Sequence, residues 1–229
     1  MQEFLFFTSE NQKADIAIHV TKTQDLHLDC NEILSHREMQ KYEAFKTEIG
    51  KIEYLLGRYS AKQAYWHLNK NSTDLKTIEI LNGVFGQPFF THNSKFDISI
   101  THSKNIAGAT VFDRRFLMGI DIEEINKSKI EFLKTMTLHK EVETFSIQNE
   151  FVWIISWCLK EALSKAIKVG LTIPLNLLEI EIMNEIEFGE NIFECKFKNF
   201  PQYKGFARVK GVYVIALVYP KQLFIGVQE

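Results

Sequence analysis

The sequence has too few cysteines, in too loose a pattern, to build a cysteine-based site. Cys30, Cys158 and Cys195 are odd in number and lie far apart along the 229 residues. Disulfide frameworks and cysteine metal sites need cysteines at characteristic, closely related spacings. We therefore expect reduced thiols, which are typical of cytoplasmic proteins.

A surplus of basic residues and a long apolar segment are also lacking. Lys and Arg number 27 against 29 Asp and Glu, a formal charge of −2, whereas nucleic-acid-binding proteins usually carry a basic excess. The most apolar run, residues 151–159, is too short to cross a bilayer, and residues 1–13 lack the features of a signal peptide. We predict a cytoplasmic protein with no nucleic-acid partner and no membrane association.

Most of the sequence has the residue patterns of helices and strands. With only 4 Pro and 11 Gly there is no evident flexible linker, and 45% of the residues are hydrophobic, enough for a sizeable core. Helical periodicity covers residues 35–69, 126–146 and 149–169. Alternating patterns predict two hairpins, at 96–112 and 203–219.

Each half of the chain thus has helices followed by a meander of strands. We predict an α+β fold with a weak internal duplication, whose halves, residues 1–113 and 114–229, form one compact monomeric unit. Ser35 followed by Glu38 predicts a capping box at a helix start. Gly50 is predicted to divide residues 35–69 into two helices.

Two acidic residues interrupt the apolar stretch GIDIE. If this stretch is a strand, Asp121 and Glu123 point to the same side, about 7 Å apart. Two such carboxylates can form half of a site for a hard divalent cation such as Mg²⁺. The exposed polar face of an ordinary antiparallel strand has the same pattern, and the motif alone favours that interpretation.

The segment WCLKEALSK, residues 157–165, places charges beside an apolar run. On a helix, Trp157, Glu161 and Lys165 share one side, and Glu161 with Lys165 would make an ordinary surface ion pair. Against this, a surface pair is out of place beside so apolar a stretch. A third carboxylate at Glu161 that meets the two of GIDIE would explain the composition.

Two further stretches have the side chains of a phosphate or ligand site. In SITHS, Thr101, His102 and Ser103 end a predicted strand, although a hydrogen-bonded structural histidine is the commoner case. The loop FGQP is either an ordinary turn or a place where the backbone approaches a ligand.

Taken in order, these motifs resemble a known family. LSHREMQKYEAF, YLLGRYSAKQA, FGQP, ISITHS, GIDIE and WCLKEALSK, over about residues 33–171, resemble the 4′-phosphopantetheinyl transferases of the larger, pseudo-dimeric Sfp type. The resemblance implies two pseudo-symmetric α/β halves with the active site at their interface. It also implies the activity of a holo-[acyl-carrier-protein] synthase. Such enzymes transfer 4′-phosphopantetheine from coenzyme A to a serine of an apo acyl or peptidyl carrier protein, require Mg²⁺ or Mn²⁺, and release adenosine 3′,5′-bisphosphate.

The resemblance also assigns roles to residues. It makes Asp121, Glu123 and Glu161 the metal ligands, with Glu161 also the base for the serine, and it makes Lys160 and Lys165 catalytic residues at the pyrophosphate. The residues that it implies for coenzyme A binding, besides Lys165, are Lys41, Gly86, Gln87, Pro88, Thr101, His102 and Ser103.

The chain departs from the family pattern at two positions. Glu38 and Gln87 stand where family members often carry basic residues, and Arg37 or Arg58 could compensate. These two substitutions keep open a weak or inactive homologue that binds carrier protein or nucleotide. Another Mg²⁺-dependent phosphotransferase or a nuclease also stays open, because three carboxylates and a lysine serve those enzymes too.

Overall fold

The computed structural model describes residues 2–3, 5–8, 13–25, 29–69, 74–135, 139–142, 145, 151–186 and 191–227. Its strands are β1 (Gln2–Glu3), β2 (Leu5–Thr8), β3 (Lys13–Ala14), β4 (Ile16–Lys22), β5 (Ile80–Asn82), β6 (Pro88–Phe90), β7 (Phe96–Ser103), β8 (Ile106–Asp113), β9 (Gly119–Glu124), β10 (Ile180–Glu185), β11 (Ile192–Phe197), β12 (Tyr203–Lys210), β13 (Tyr213–Pro220) and β14 (Phe224–Val227). Its α-helices are α1 (Cys30–Ile33), α2 (His36–Glu43), α3 (Glu48–Leu68), α4 (Lys127–Thr135), α5 (His139–Val142) and α6 (Val152–Ala166). Short 3₁₀ helices cover Thr23–Asp25, Leu75–Thr77, Gly170–Thr172 and Leu175–Leu178.

The chain divides into two compact units. The first comprises residues 1–117 with 223–229, and the second comprises residues 118–222. Each unit combines antiparallel strands with a helix packed on them, so the architecture is α+β. The predicted boundary at residue 113 and the predicted duplication stay predictions. Among the described residues, no helix is both long and apolar enough to cross a membrane.

In the first unit, α3 packs on a four-stranded sheet of order β1-β4-β8-β7. The predicted hairpin of β7 and β8 is confirmed, with Phe96 opposite Asp113. Small side chains on α3, Ala61 and Ala64, are completely buried and let the helix lie close to the strands. Gly57 on the same helix faces the side chain of Ile100.

The start of α2 follows the prediction, but the break after it does not. Ser35 and Glu38 form the predicted capping box. The helices divide at residues 44–47, and Gly50 lies inside the first turn of α3. The reason is that Thr47 caps α3 by accepting a hydrogen bond from the Gly50 backbone N–H at 3.1 Å.

In the second unit, α6 lies across a five-stranded antiparallel sheet of order β10-β11-β12-β13-β9. The predicted closing hairpin of β12 and β13 is confirmed. The helix predicted over 149–169 is observed at Val152–Ala166, and it ends before Gly170 because Lys168 already adopts a φ of 59°. The helical pattern over 126–146 gives α4 and α5, and residues 136–138 between them lie outside the described residues.

Gly119 sets the contact between β9 and α6. A Cβ added at Gly119 would lie 2.0 Å from the backbone oxygen of Ala162 and 2.6 Å from the backbone nitrogen of Ala166. Backbone atoms of a helix interior cannot yield to such a contact. The absence of a side chain at this position is therefore what lets the helix backbone rest on the strand.

We expect Gly119→Ala to displace α6 and to lower the free energy of unfolding by about 1–3 kcal/mol or more, the usual cost of overpacking. Urea unfolding followed by circular dichroism would measure this. Gly57→Ala is the control: its Cβ meets only a methyl group of Ile100, at 3.0 Å, and alanine favours the helix. Equal stabilities of the two variants would contradict the close approach of α6 to β9.

Candidate metal centre

Three carboxylates converge in the second unit. Asp121 and Glu123 come from β9 and Glu161 from α6, and one ligand atom of each lies within 4.8 Å of the others. Asp121 is only 2% exposed and Glu123 only 9%. The solvent-exposed strand face that GIDIE alone favoured is therefore wrong, because α6 covers that side of β9.

Two ammonium groups lie against these carboxylates. Lys165 Nζ donates a hydrogen bond to Asp121 Oδ1 at 2.6 Å. Lys129, from α4, forms an ion pair with Glu123 Oε1, which also accepts a hydrogen bond from Trp157 Nε1 at 3.0 Å. The sequence predicted that Trp157 and Lys165 share one face of the helix with Glu161. It gave no sign of Lys129, whose segment has the pattern of an ordinary polar helix.

Burial and charge shift the protonation of this cluster. Burial raises the pKa of Glu161 to about 7; Asp121 and Glu123 add to the shift, while Lys165 and Lys129 oppose it. Burial by itself would lower the pKa of Lys165, but Asp121 and Glu161 outweigh it and raise that pKa. Glu161 therefore exchanges its proton near neutral pH, which suits a general base.

The donor set fits a hard divalent cation. Carboxylate oxygens are the ligands that Mg²⁺ and Mn²⁺ prefer, and three of them leave coordination positions for water or phosphate. Burial keeps Cys158, beside Asp121, a neutral thiol by raising its pKa well above the usual value. Among the described residues, Asp121, Glu123 and Glu161 are the group of three or more carboxylate, imidazole or thiol side chains that lie close enough to share one ion.

Lys160, predicted to lie at the pyrophosphate, has different neighbours. Its side chain is completely buried, and Nζ donates to Glu141 Oε2 at 2.5 Å and to the Leu175 carbonyl at 3.5 Å. The other oxygen of Glu141 accepts from the backbone N–H of Ile180 at 2.7 Å. Burial lowers the pKa of Lys160 and raises that of Glu141, and their contact opposes both shifts. These contacts join α5 and α6 to the start of β10.

In the first unit, Lys41 lies beside the FGQP loop. Lys41 Nζ and Arg58 Nη2 both donate to Asn82 Oδ1, at 2.9 and 2.6 Å, and Asn82 Nδ2 donates to the carbonyl of Gly86 at 2.5 Å. Burial, with a contribution from Arg58, lowers the pKa of Lys41. Two cations thus share one amide oxygen next to the loop.

The loop itself is closed by its own hydrogen bonds. The Gly83 N–H donates to the Gln87 carbonyl at 2.8 Å, and Gln87 Oε1 accepts from the Phe85 N–H at 3.0 Å. Pro88 then begins β6, which pairs with β5. The backbone of Gly86 has a φ of 82°, which favours glycine.

The two departures from the family pattern have different surroundings. Glu38 is completely buried and forms ion pairs with Lys62 at 2.5 Å and with Arg58 Nε at 3.5 Å. It also accepts from the Ile80 N–H at 3.2 Å. Glu38 therefore ties α2 to α3 and β5. Arg37 forms an exposed ion pair with Glu79, so of the two candidate substitutes only Arg58 lies at Lys41.

The SITHS residues end β7 in the first unit. Thr101 is buried, and Ser103 lies opposite Ile106 on β8. The side chain of His102 is 53% exposed, with Nδ1 3.6 Å from Glu53 Oε2. This exposure does not fit the hydrogen-bonded structural histidine that SITHS alone favoured.

Comparison with known proteins identifies the family. Residues 117–218 match the model of the 4′-phosphopantetheinyl transferase superfamily. The holo-[acyl-carrier-protein] synthase of Staphylococcus carnosus is 33% identical over 85 residues, which are 34% of this chain and 72% of that protein. The chain therefore belongs to the 4′-phosphopantetheinyl transferase superfamily.

Two further relatives are more distant. The L-aminoadipate-semialdehyde dehydrogenase-phosphopantetheinyl transferase of Candida glabrata is 22% identical over 136 residues, 54% of this chain and 52% of that one. The crystal structure of a Bacillus anthracis holo-(acyl-carrier-protein) synthase in complex with CoA (3′,5′-ADP) aligns with a TM-score of 0.39 at 23% identity, over 47% of this chain and 96% of that one.

We expect divalent-cation affinity to rise between about pH 6 and 8, because Glu161 must lose its proton to become a ligand and its pKa is about 7. Below that pKa, Mn²⁺ binding measured by electron paramagnetic resonance should weaken by up to about tenfold per pH unit. Glu161→Gln should bind Mn²⁺ weakly, without this pH dependence. An affinity of the unmodified protein that is constant from about pH 6 to 8 would contradict a ligand role for Glu161.

We expect Lys160→Met to lower the free energy of unfolding by about 3–5 kcal/mol, because it leaves the Glu141 carboxylate buried without its ion pair. Lys160→Met/Glu141→Gln should recover much of this loss, since the glutamine oxygen can still accept from Ile180. Urea unfolding of the single and double variants measures the coupling. Losses that simply add would show that the two side chains do not act as a pair.

Proposed function

We propose that this protein is an Sfp-type 4′-phosphopantetheinyl transferase. It moves the 4′-phosphopantetheine arm of coenzyme A onto a serine of an apo acyl or peptidyl carrier protein and releases adenosine 3′,5′-bisphosphate. The observation that carries the proposal is the meeting of Asp121, Glu123 and Glu161, with Lys165 at Asp121, in a member of this superfamily.

The three carboxylates would hold Mg²⁺ or Mn²⁺. Such an ion supplies neutralisation and orientation of the diphosphate of coenzyme A. The surrounding chain holds the carboxylates in position. Strand β9 fixes Asp121 and Glu123, helix α6 fixes Glu161, and Trp157 orients Glu123 by a hydrogen bond. Few other devices are needed, because phosphoryl transfer depends mainly on positioning and charge stabilisation.

Glu161 and Lys165 carry out the proton and charge steps. Glu161 accepts the proton of the serine hydroxyl directly or through a water molecule. The serine oxygen then bonds to the β-phosphorus while the bond from that phosphorus to the bridging oxygen breaks. Lys165 offsets the negative charge that develops on the departing phosphate.

Residues of the first unit are also proposed to bind coenzyme A. Lys41 and Arg58 would bind the 3′-phosphate as two cations, with Arg58 in place of the basic residue that Glu38 replaces. Gly86, Gln87 and Pro88 would border the nucleotide. Thr101, His102 and Ser103 would contact phosphate oxygens, and the exposure of His102 suits that role.

The test is the mass gain of one phosphopantetheine on an apo carrier protein, followed by mass spectrometry with coenzyme A and Mg²⁺. We expect Asp121→Asn and Glu161→Gln each to lower the rate by at least ~10²-fold while circular dichroism shows an intact fold. Glu181→Gln, an exposed carboxylate of the same unit, is the control and should retain activity.

Each other outcome has a definite meaning. No mass gain across a panel of acyl and peptidyl carrier proteins, with coenzyme A bound, would identify an inactive homologue. Phosphoryl transfer or nuclease activity that is indifferent to coenzyme A would identify a different Mg²⁺-dependent enzyme. Unchanged transfer by either acidic variant would remove the carboxylates from the mechanism.

A further inference from the structure

Among the residues that the structure describes, Lys129 is a charged group at the carboxylates that no motif of the sequence indicates. It lies in the first turn of α4, whose start is fixed because Asn126 Oδ1 accepts from the Lys129 backbone N–H at 2.8 Å. Since α4 follows β9 directly, this turn brings the Lys129 ammonium group to Glu123 on that strand. The side chain remains 28% exposed, so it is not sealed into the core.

Lys160, the second lysine that the family resemblance places at the diphosphate, contacts other residues. Lys160 is completely buried and paired one-to-one with Glu141. The cluster of three carboxylates is instead flanked by Lys165 at Asp121 and Lys129 at Glu123. With Glu161 ionised, the two lysines leave one uncompensated negative charge among these five groups, so the cluster attracts a further cation.

A divalent cation at the carboxylates would change the position of Lys129. Glu123 Oε1 already receives both Lys129 Nζ and Trp157 Nε1. A cation bound to Glu123 would repel the ammonium group, whereas the neutral indole N–H can stay. A partly exposed lysine on a flexible stem shifts readily to the nearest other anion. When a diphosphate is bound beside the cation, the nearest other anion for Lys129 would be one of its phosphate oxygens.

We propose that Lys129 is the second ammonium group of the diphosphate site. It stands in for the cation at Glu123 in the metal-free protein and binds a phosphate oxygen of the coenzyme A diphosphate once metal and substrate are present. This proposal rests on the proposed function, since it needs the three carboxylates to hold a cation. It assigns to Lys129 the substrate contact that the motif assigned to Lys160.

The experiment compares Lys129→Met with the unmodified protein in two binding measurements. Mn²⁺ affinity without nucleotide is measured by electron paramagnetic resonance, and coenzyme A affinity at saturating Mn²⁺ is measured by calorimetry. We expect Mn²⁺ to bind about 3–10-fold more tightly, because a competing positive charge is gone, and coenzyme A about tenfold more weakly. Lys129→Arg should retain the affinity for coenzyme A.

Lys134→Met is the matched control. Lys134 lies on the same helix, is 39% exposed, and pairs with Glu131 at 2.9 Å, away from the three carboxylates. The Lys134→Met substitution removes the same charge from α4 and should change neither the affinity for Mn²⁺ nor that for coenzyme A. Circular dichroism of both variants verifies that the helix is intact.

The opposite directions of the two effects make the proposal refutable. If Lys129 only positions Glu123, its removal weakens Mn²⁺ binding, and that result would overturn the proposal, as would unchanged affinity for Mn²⁺ or coenzyme A. Failure of the unmodified protein to bind Mn²⁺, or equal binding by Asp121→Asn, would remove the metal site and the proposed function with it. Normal binding by the unmodified protein with an indifferent Lys129→Met would overturn this inference alone.

Discussion

The candidate site depends on the direct contact between the backbone of α6 and strand β9 at Gly119. Because this position has no side chain, the carbonyl of Ala162 and the N–H of Ala166 come to rest on the strand. Glu161 and Lys165 are the chain neighbours of these two residues, and Asp121 lies two residues beyond Gly119 on β9. One close approach between backbones therefore determines which acidic and basic side chains of the two motifs meet.

Charge balance distinguishes the candidate site from the structural ion pairs around it. Lys160 and Glu141 form a largely buried ion pair, and a backbone N–H also donates to Glu141. Among the described residues, the three carboxylates pair with the ammonium groups of Lys165 and Lys129, and burial together with mutual repulsion raises the pKa of Glu161. Losing one partner of a buried pair destabilises a fold, whereas an acidic cluster with incomplete compensation is suited to take up a cation.

The first unit has its own buried network of charges. Glu38 forms ion pairs with Lys62 and Arg58. Arg58 also donates to Asn82, as Lys41 does. Glu38, which departs from the family pattern, therefore holds Arg58 in place, and Arg58 brings a positive charge to the side of the FGQP loop.

Local sequence determined the elements and the candidate ligands. Residue alternation gave the β7-β8 and β12-β13 hairpins, and Ser35 and Glu38 gave the capping box, because each of these signals lies within a few residues of chain. The three carboxylates were selected by the family resemblance, since spacing alone does not show that Glu161 meets Asp121 and Glu123. The tertiary structure alone decided the partner of each lysine: Lys129 at Glu123, Lys160 at Glu141, and Lys62 at Glu38. Such pairs join different helices and strands, and they follow from which helix face packs on which element, a choice that helical and strand periods do not encode.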